Sequence, residues 1–267
     1  MFKFRPLLTL SGAAVTVVVT LGVTAGPAAA AGDNYVALGD SYSSGVGAGD
    51  YTSDSGSCDR SPNAYSALWA GANAPSSYVS VACSGATTAD VNSSQLSALS
   101  ASTSLVSITI GGNDVGFSDI MQTCVLDGTD DCVASVQAAE DKAQTSLPGA
   151  LDSTYSGIAS DAPNARVVVL DYPVFYDLNQ SGCIGLSATS RAKIDEGINL
   201  VDGIIQTEAD NYGFTFADVR NAFVGHQICD DDSWLHSLNF TDITESYHPT
   251  ADGHSGAYYP VFASAAG

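Results

Sequence analysis

Short apolar runs alternate with longer helix-forming stretches along most of this chain. Tyr35-Val36-Ala37-Leu38 is a compact apolar run that stops at Gly39 and a cluster of small residues. Tyr78–Ala82 and Leu105–Ile110 repeat that pattern, ending in Cys83-Ser84-Gly85 and Gly111-Gly112-Asn113-Asp114. Arg166–Leu170 (Arg-Val-Val-Val-Leu) reads as a strand buried on both faces, and Phe214–Val219 as a further strand. Between them, Ser61–Ala70 predicts a helix with Ser61 as its cap and Pro62 at its first position. Ala134–Ile158 reads as largely helical, with Pro148-Gly149 as the place for an interruption. Ser187–Asn211 predicts a long helix and Asp252–Ala265 a final one. Strands alternating with helices predict an α/β fold with a mainly parallel sheet covered on both faces. No repeat and no linker interrupts the pattern, so one domain is expected over residues 32–267. Ligands gather at the carboxyl ends of such strands. Three strands here end in clusters of Gly, Ser, Asn or Asp, and these point to one rim.

The first 31 residues stand outside that pattern and read as a cleaved signal peptide. Lys3 and Arg5 form a basic start, an uncharged run follows from Pro6 to Gly26, and Pro27–Ala31 supplies small residues for cleavage after Ala30 or Ala31. The run is long enough for a membrane anchor, but Ser11, Gly12, Thr16, Thr20 and Gly22 dilute it. With no twin-Arg pair and no Cys near the cleavage point to take a lipid, the product is expected as a secreted, extracellular protein.

Charge narrows the partners. The chain carries 8 Lys+Arg against 29 Asp+Glu, a formal −21. Such a surface repels phosphate backbones, which excludes nucleic acid. It also disfavours docking on an anionic bilayer and leaves only transient contact with lipid or ester droplets. Apolar residues at 45% against 14% charged rule out a solvated coil. The six cysteines are Cys58, Cys83, Cys124, Cys132, Cys183 and Cys229. An even count in an exported chain predicts three disulfides, with 15 pairings open and Cys124–Cys132, around a short polar loop, the safest. No Cys-x-x-Cys pair suggests zinc.

Four short segments carry candidate chemistry. Gly39-Asp40-Ser41-Tyr42-Ser43 places Ser41 at a strand-to-helix turn, where a hydroxyl is exposed and negative charge is stabilised. It is not the Gly-x-Ser-x-Gly elbow, because residue 43 is Ser. Ala82–Thr87 contains Gly85, whose backbone N–H can approach a substrate oxygen. In Gly111–Asp114, Asn113 offers an uncharged amide donor suited to an oxyanion. Glu245-Ser246-Tyr247-His248-Pro249 supplies an imidazole matched to take a proton from Ser near neutral pH. Each segment alone reads equally as a turn or a helix cap. The other histidines, His226, His236 and His254, form no metal-ligand spacing with His248 or with the acidic runs Asp127–Asp131 and Asp230–Asp232. No metal and no cofactor is expected, and nothing requires a surface Ca²⁺.

The order Ser41, Gly85, Asn113, His248 at the ends of successive elements resembles the SGNH hydrolases, also called the GDSL family. Tyr35–Gly47, Ala82–Thr88, Thr109–Phe117 and Tyr247–Thr250 carry the likeness to the family's secreted bacterial lipases, esterases and phospholipases. The resemblance implies a flavodoxin-like α/β/α fold and disulfides in sequence order, Cys58–Cys83, Cys124–Cys132 and Cys183–Cys229. It implies acyl transfer by a Ser41 nucleophile with His248 as base, and an oxyanion hole of the Ser41 and Gly85 N–H groups and the Asn113 amide. Many members carry Asp three residues before the His; Glu245 stands here, one methylene longer. The His248 ring is therefore expected to be oriented by the Ser246 main-chain carbonyl, with Glu245 as the competing acceptor. The expected activity is hydrolysis of lipid carboxylic esters by a monomeric enzyme. The alternatives are a carbohydrate O-acetyl esterase, for which 2 Trp and scattered Tyr and Phe give no sugar platform, and a binding protein on the same fold. Acyl-chain preference is expected to depend on walls formed by the segments Val115–Val133 and Asp171–Leu186.

Overall fold

The computed structural model describes residues 1–4, 32–180 and 183–267. The chain divides into Met1–Ala31 and Gly32–Gly267, and everything below concerns the second unit. Apart from its first four residues, the expected signal peptide lies outside the described residues.

Five strands, β1 (Asn34–Gly39), β2 (Ser77–Ser80), β3 (Leu105–Thr109), β4 (Arg166–Leu170) and β5 (Thr215–Ala217), form one parallel sheet in the order β2-β1-β3-β4-β5. The helices are α1 (Ser41–Ser44), α2 (Tyr65–Asn73), α3 (Thr88–Asp90), α4 (Gly112–Val115), α5 (Phe117–Leu126), α6 (Thr129–Asp161), α7 (Ala188–Asn211), α8 (Ala251–Gly253) and α9 (Tyr259–Ala266). Continuous apolar runs form the central strands because both faces are covered; every residue of β3 is buried, as is Val167–Leu170 of β4. The edge strands β2 and β5 are shorter and partly exposed. Tyr35 of β1 meets Trp69 of α2 and Phe262 of α9 at ring-centroid distances of 5.3 and 5.5 Å. Helices α6 and α7 run side by side in the same direction. Lys193 reaches Glu140, Leu147 and Ile205 both lie beside Gly111, and Tyr212 bonds Asp152. This is the expected three-layer α/β/α arrangement.

Register decides where the site falls. Gly39 pairs with Thr109, and the Asp40 N–H continues the ladder to the Thr109 carbonyl at 3.0 Å. The turns after β1 and β3 therefore leave the sheet side by side. The Cys58–Cys83 disulfide ties the segment after β2 to the loop following α1. Cys124–Cys132 and Cys183–Cys229 complete the sequence-order pairing.

Two helix expectations change. The second helix begins at Tyr65 with Ala64 as its N-cap, not at Ser61. Ser61 instead caps its own turn, its hydroxyl accepting from Asn63 N at 3.0 Å and donating to the Gly49 carbonyl. Pro148 does not interrupt α6, which runs through 33 residues. Leu147 and Leu151 are buried on either side of the proline, and packing against the sheet and α7 holds the helix through the one missing amide donor. The final helix runs without a break over residues 251–266, as expected, widened by a π-bulge at His254–Tyr258 that joins α8 to α9. Pro260, which cannot donate to the carbonyl four residues back, follows immediately.

Candidate active site

Ser41 is the first residue of α1, placed there by a turn that only glycine can make at residue 39. Gly39 has φ +123°, and a Cβ on it would sit 2.4 Å from the Thr109 carbonyl oxygen. Asp40 caps α1, its Oδ1 accepting from Tyr42 N at 3.0 Å and from Thr109 Oγ1 at 2.7 Å. Its Oδ2 accepts from the Tyr172 hydroxyl at 2.5 Å. Burial pushes the Asp40 carboxyl up to about 6, against these three hydrogen bonds, which lower it. Ser43 adds a further tie, its Oγ accepting from Thr109 N at 3.0 Å.

The second and third segments meet beside it. Tyr172 also accepts from Gly112 N at 3.0 Å, so one hydroxyl links the Ser41 turn to α4. Asn113 donates from Nδ2 to the Ala86 carbonyl at 3.0 Å, joining α4 to the Gly85 turn. Asp114 accepts from Thr88 N at 3.1 Å on the same seam. Gly85 has φ +77°. Among the described residues, neither the Ser41 N–H nor the Gly85 N–H has an intramolecular acceptor. Two backbone donors and the second hydrogen of the Asn113 amide are thus free at one rim.

His248 arrives on a loop braced by main-chain bonds. Its N–H donates to the Glu245 carbonyl at 3.1 Å and its carbonyl accepts from His236 N at 2.9 Å. The preceding residue, Tyr247, has φ +64°, held there by its ring stacked on Phe175 and by Tyr42 Oη donating to its carbonyl at 2.6 Å. His248 Nδ1 lies 3.0 Å from the Ser246 carbonyl oxygen, and Nε2 lies 2.7 Å from Ser41 Oγ. A carbonyl can only accept, so Nδ1 carries the proton and Nε2 is left to accept from the Ser41 hydroxyl. Burial pushes the imidazole down to about 4, so it is neutral at pH 7. The Glu245 carboxylate points elsewhere: Oε1 accepts from Tyr51 Oη at 2.8 Å and Oε2 from Asn239 Nδ2 at 3.2 Å.

From Ser41, Tyr42 and Asn113 a narrow, half-open cavity extends inward. Val115, Phe117, Ile120 and Met121 line it, as do Tyr172 and Phe175, so both expected wall segments contribute. The first of them is largely helical, and a third wall was missed. Val136, Ala139 and Glu140 of α6 and Ile194, Gly197 and Val201 of α7 face the cavity. Tyr172 was also missed, since it belongs to no motif. A Tyr just past a buried strand end on the active rim was the available signal.

Among the described residues, the side chains of the other three histidines make no hydrogen bond to Ser41 or to the His248 ring. His254 is fully buried and accepts at Nδ1 from Tyr65 N at 3.3 Å. His236 Nε2 bonds the Gly47 carbonyl at 2.8 Å, and His226 stacks on Trp234. Among the described residues no group of His, Cys, Asp and Glu is arranged to hold a metal ion.

A serine–imidazole pair facing free N–H donors at the mouth of an apolar cavity, on a parallel α/β sheet, defines a hydrolase of the acyl-transfer class. The pattern of the GDSL-like Lipase/Acylhydrolase family matches residues 37–255, and the chain belongs to that family; it is a carboxylic ester hydrolase. It is 52% identical over 260 residues to Lipase 1 of Streptomyces coelicolor, covering 97% of this chain and 96% of that one. The crystal structure of phospholipase A1 from Streptomyces albidoflavus superposes with a TM-score of 0.87 at 53% identity, over 88% of this chain and 100% of that one. An extracellular lipase from Streptomyces rimosus gives 0.86 at 49% identity, over 87% and 99%.

Proposed function

We propose that the protein is an exported enzyme that hydrolyses acyl esters of lipids through an acyl-enzyme on Ser41. The observation that carries this reading is Ser41 Oγ at 2.7 Å from a neutral His248 Nε2, at the mouth of an apolar cavity able to take an acyl chain. His248 takes the hydroxyl proton as Ser41 attacks the ester carbonyl. The Ser41 and Gly85 N–H groups and the Asn113 amide bind the oxyanion. The imidazolium then protonates the departing alcohol, and the same ring activates the water that releases the acid. Ser246 orients His248 through its carbonyl, while Glu245 braces the loop through Tyr51 and Asn239.

Export is supported by the leader pattern, by three disulfides and by a relative described as extracellular. Among the described residues no helix is long and apolar enough to cross a membrane. The relatives named lipase and phospholipase A1 favour lipid esters over the carbohydrate alternative. The enzyme acts as a monomer. The test is Ser41→Ala, assayed on triacylglycerol, phosphatidylcholine and a ladder of simple acyl esters. All ester hydrolysis should be lost while thermal unfolding is unchanged; more than a tenth of wild-type activity in the purified variant overturns the assignment.

A further inference from the structure

Three donors can serve one oxyanion only if they keep a fixed spacing, and hydrogen bonds tie their three segments into a triangle. Cys83 N donates to the Gly39 carbonyl at 3.0 Å, joining the Gly85 segment to the Ser41 turn. Asn113 is joined to the Gly85 segment through the Ala86 carbonyl. The third side, from Asn113 back to Ser41, is closed by Tyr172, two residues beyond β4. Among the described residues its hydroxyl makes the only hydrogen-bonded link between the Ser41 turn and α4. Helix α4 spans four residues, and its N-cap, Gly111, supplies no side-chain cap. The Tyr172 hydroxyl takes that place by accepting from Gly112 N, and its own proton goes to Asp40 Oδ2. Tyr42 N and Thr109 Oγ1 already occupy Asp40 Oδ1, so Tyr172 is the sole donor to Oδ2. The ring is seated edge-on to Tyr42, centroids 5.0 Å apart, and against Gly112, where a Cβ would sit 3.3 Å from Oη.

We propose that Tyr172 is a positioning residue for the oxyanion hole. Gly112 adjoins Asn113 on α4, and Asp40 adjoins Ser41 on the nucleophile turn, so one phenol oxygen sets the distance between the Ser41 N–H and the Asn113 amide. Its hydroxyl is bonded on both sides within the protein and acts through these two turns, not on the substrate. The phenol ring separately forms part of the cavity wall. The inference rests on the acyl-enzyme reading of Ser41 and its oxyanion hole.

The test is a double-mutant cycle of Tyr172→Phe with Asn113→Ala, read as kcat/KM on a ladder of simple acyl esters. Tyr172→Phe keeps the ring and the cavity wall but leaves Gly112 N and Asp40 Oδ2 unpaired. Its kcat/KM should fall by about 10- to 100-fold, since a misplacement of about 1 Å can cost 10²-fold. The loss should be the same for every acyl length, because the wall is unchanged. Asn113→Ala alone should cost about 10²–10³. Beside it the Tyr172→Phe penalty should shrink below about threefold, because the donor that Tyr172 places is gone. Should Tyr172→Phe fail to fold, Gly112→Ala sets a methyl 3.3 Å from the hydroxyl and pushes the two apart with every polar group retained. It should show the same loss and the same dependence on Asn113. A penalty that is below threefold on its own, that keeps its full size beside Asn113→Ala, or that varies with acyl length overturns the inference. If Asn113→Ala has its full cost in that case, only the role of Tyr172 has failed. If Asn113→Ala is itself neutral, the oxyanion-hole reading has failed and this inference falls with it.

Discussion

The two halves of the Ser41–His248 pair are held in opposite ways. The Ser41 half is fixed by buried side chains: Asp40, Ser43, Thr109 and Tyr172 bond one another and the adjoining backbone. The His248 half is fixed by its own backbone, through His236, Glu245 and Ser246 carbonyls and amides, and by the left-handed turn at Tyr247. The first arrangement depends on which side chains are present. The second depends on the path of the chain, and it tolerates a longer acid at residue 245 because that acid is not asked to reach the imidazole.

The largest expected effect tests the pair itself. His248→Ala should lower turnover by about 10⁴ or more with little change in unfolding, and kcat from purified protein checks it. A loss under tenfold would dissolve the pair. Next comes the side-chain half. Asp40→Asn presents an NH₂ where a buried acceptor is needed, so denaturant unfolding should show a loss of about 1–3 kcal/mol, accompanied by a fall in kcat. A neutral result would show that the backbone holds Ser41 as well. On the other half, Glu245→Gln should lower kcat less than tenfold, since the Ser246 carbonyl survives. A fall near 10⁴, the size seen when an orienting carboxylate is removed, would make Glu245 part of the catalytic unit.

Two pH effects are smaller. His248 is pushed down to about 4, so its neutral form persists below the ordinary imidazole value of about 6.5. The acid limb of kcat/KM should therefore lie below 6.5; a limb at the ordinary value would mean the ring is not desolvated. Stability should respond through a buried acidic cluster just past β4 on the same rim. Burial pushes Asp171 up to about 8, Asp195 up to about 7 and Asp202 well above its usual range, and Asp171 and Asp202 face the same Arg220 guanidinium. These folded-state values are raised, so between about pH 6.5 and 8 the native protein holds protons that the unfolded chain has lost. Stability should fall as pH rises through that window. The buried His248 and His254, whose folded-state values burial lowers, oppose this slope near pH 6.5 and drop out of it above about pH 7.5. Melting temperatures across the window check the sign, and Asp202→Asn should flatten the slope.

The strands were legible because a buried parallel strand must be a short apolar run, and each expected run forms one, with ends that agree or shift by one or two residues. The Ser41, Gly85, Asn113 and His248 segments were legible as motifs; the sheet register brings the first three to one rim, and the loop carrying His248 meets them there. The errors share a physical cause. The start of α2 and the unbroken α6 were each decided by tertiary packing or by one side chain's local hydrogen bond. Ser246 differs in kind. Its acceptor is a carbonyl that every residue possesses, and only the left-handed turn at Tyr247 aims it at the ring. Tyr172 and the inner faces of α6 and α7 become visible only when distant segments are brought together.

That helical wall sets how the cavity can change. Val136, Ala139 and Glu140, like Ile194, Gly197, Ile198 and Val201, recur at the three- and four-residue spacing of one helix face. A single inserted or deleted residue within α6 would turn every later position by about 100° and swing part of the face away from the substrate. Loops on the opposite side of the mouth can lengthen or shorten without that penalty. Diversification of chain preference in such an enzyme should therefore proceed by point exchange on the helical side and by length variation on the loop side, two distinct evolutionary grammars meeting at one serine.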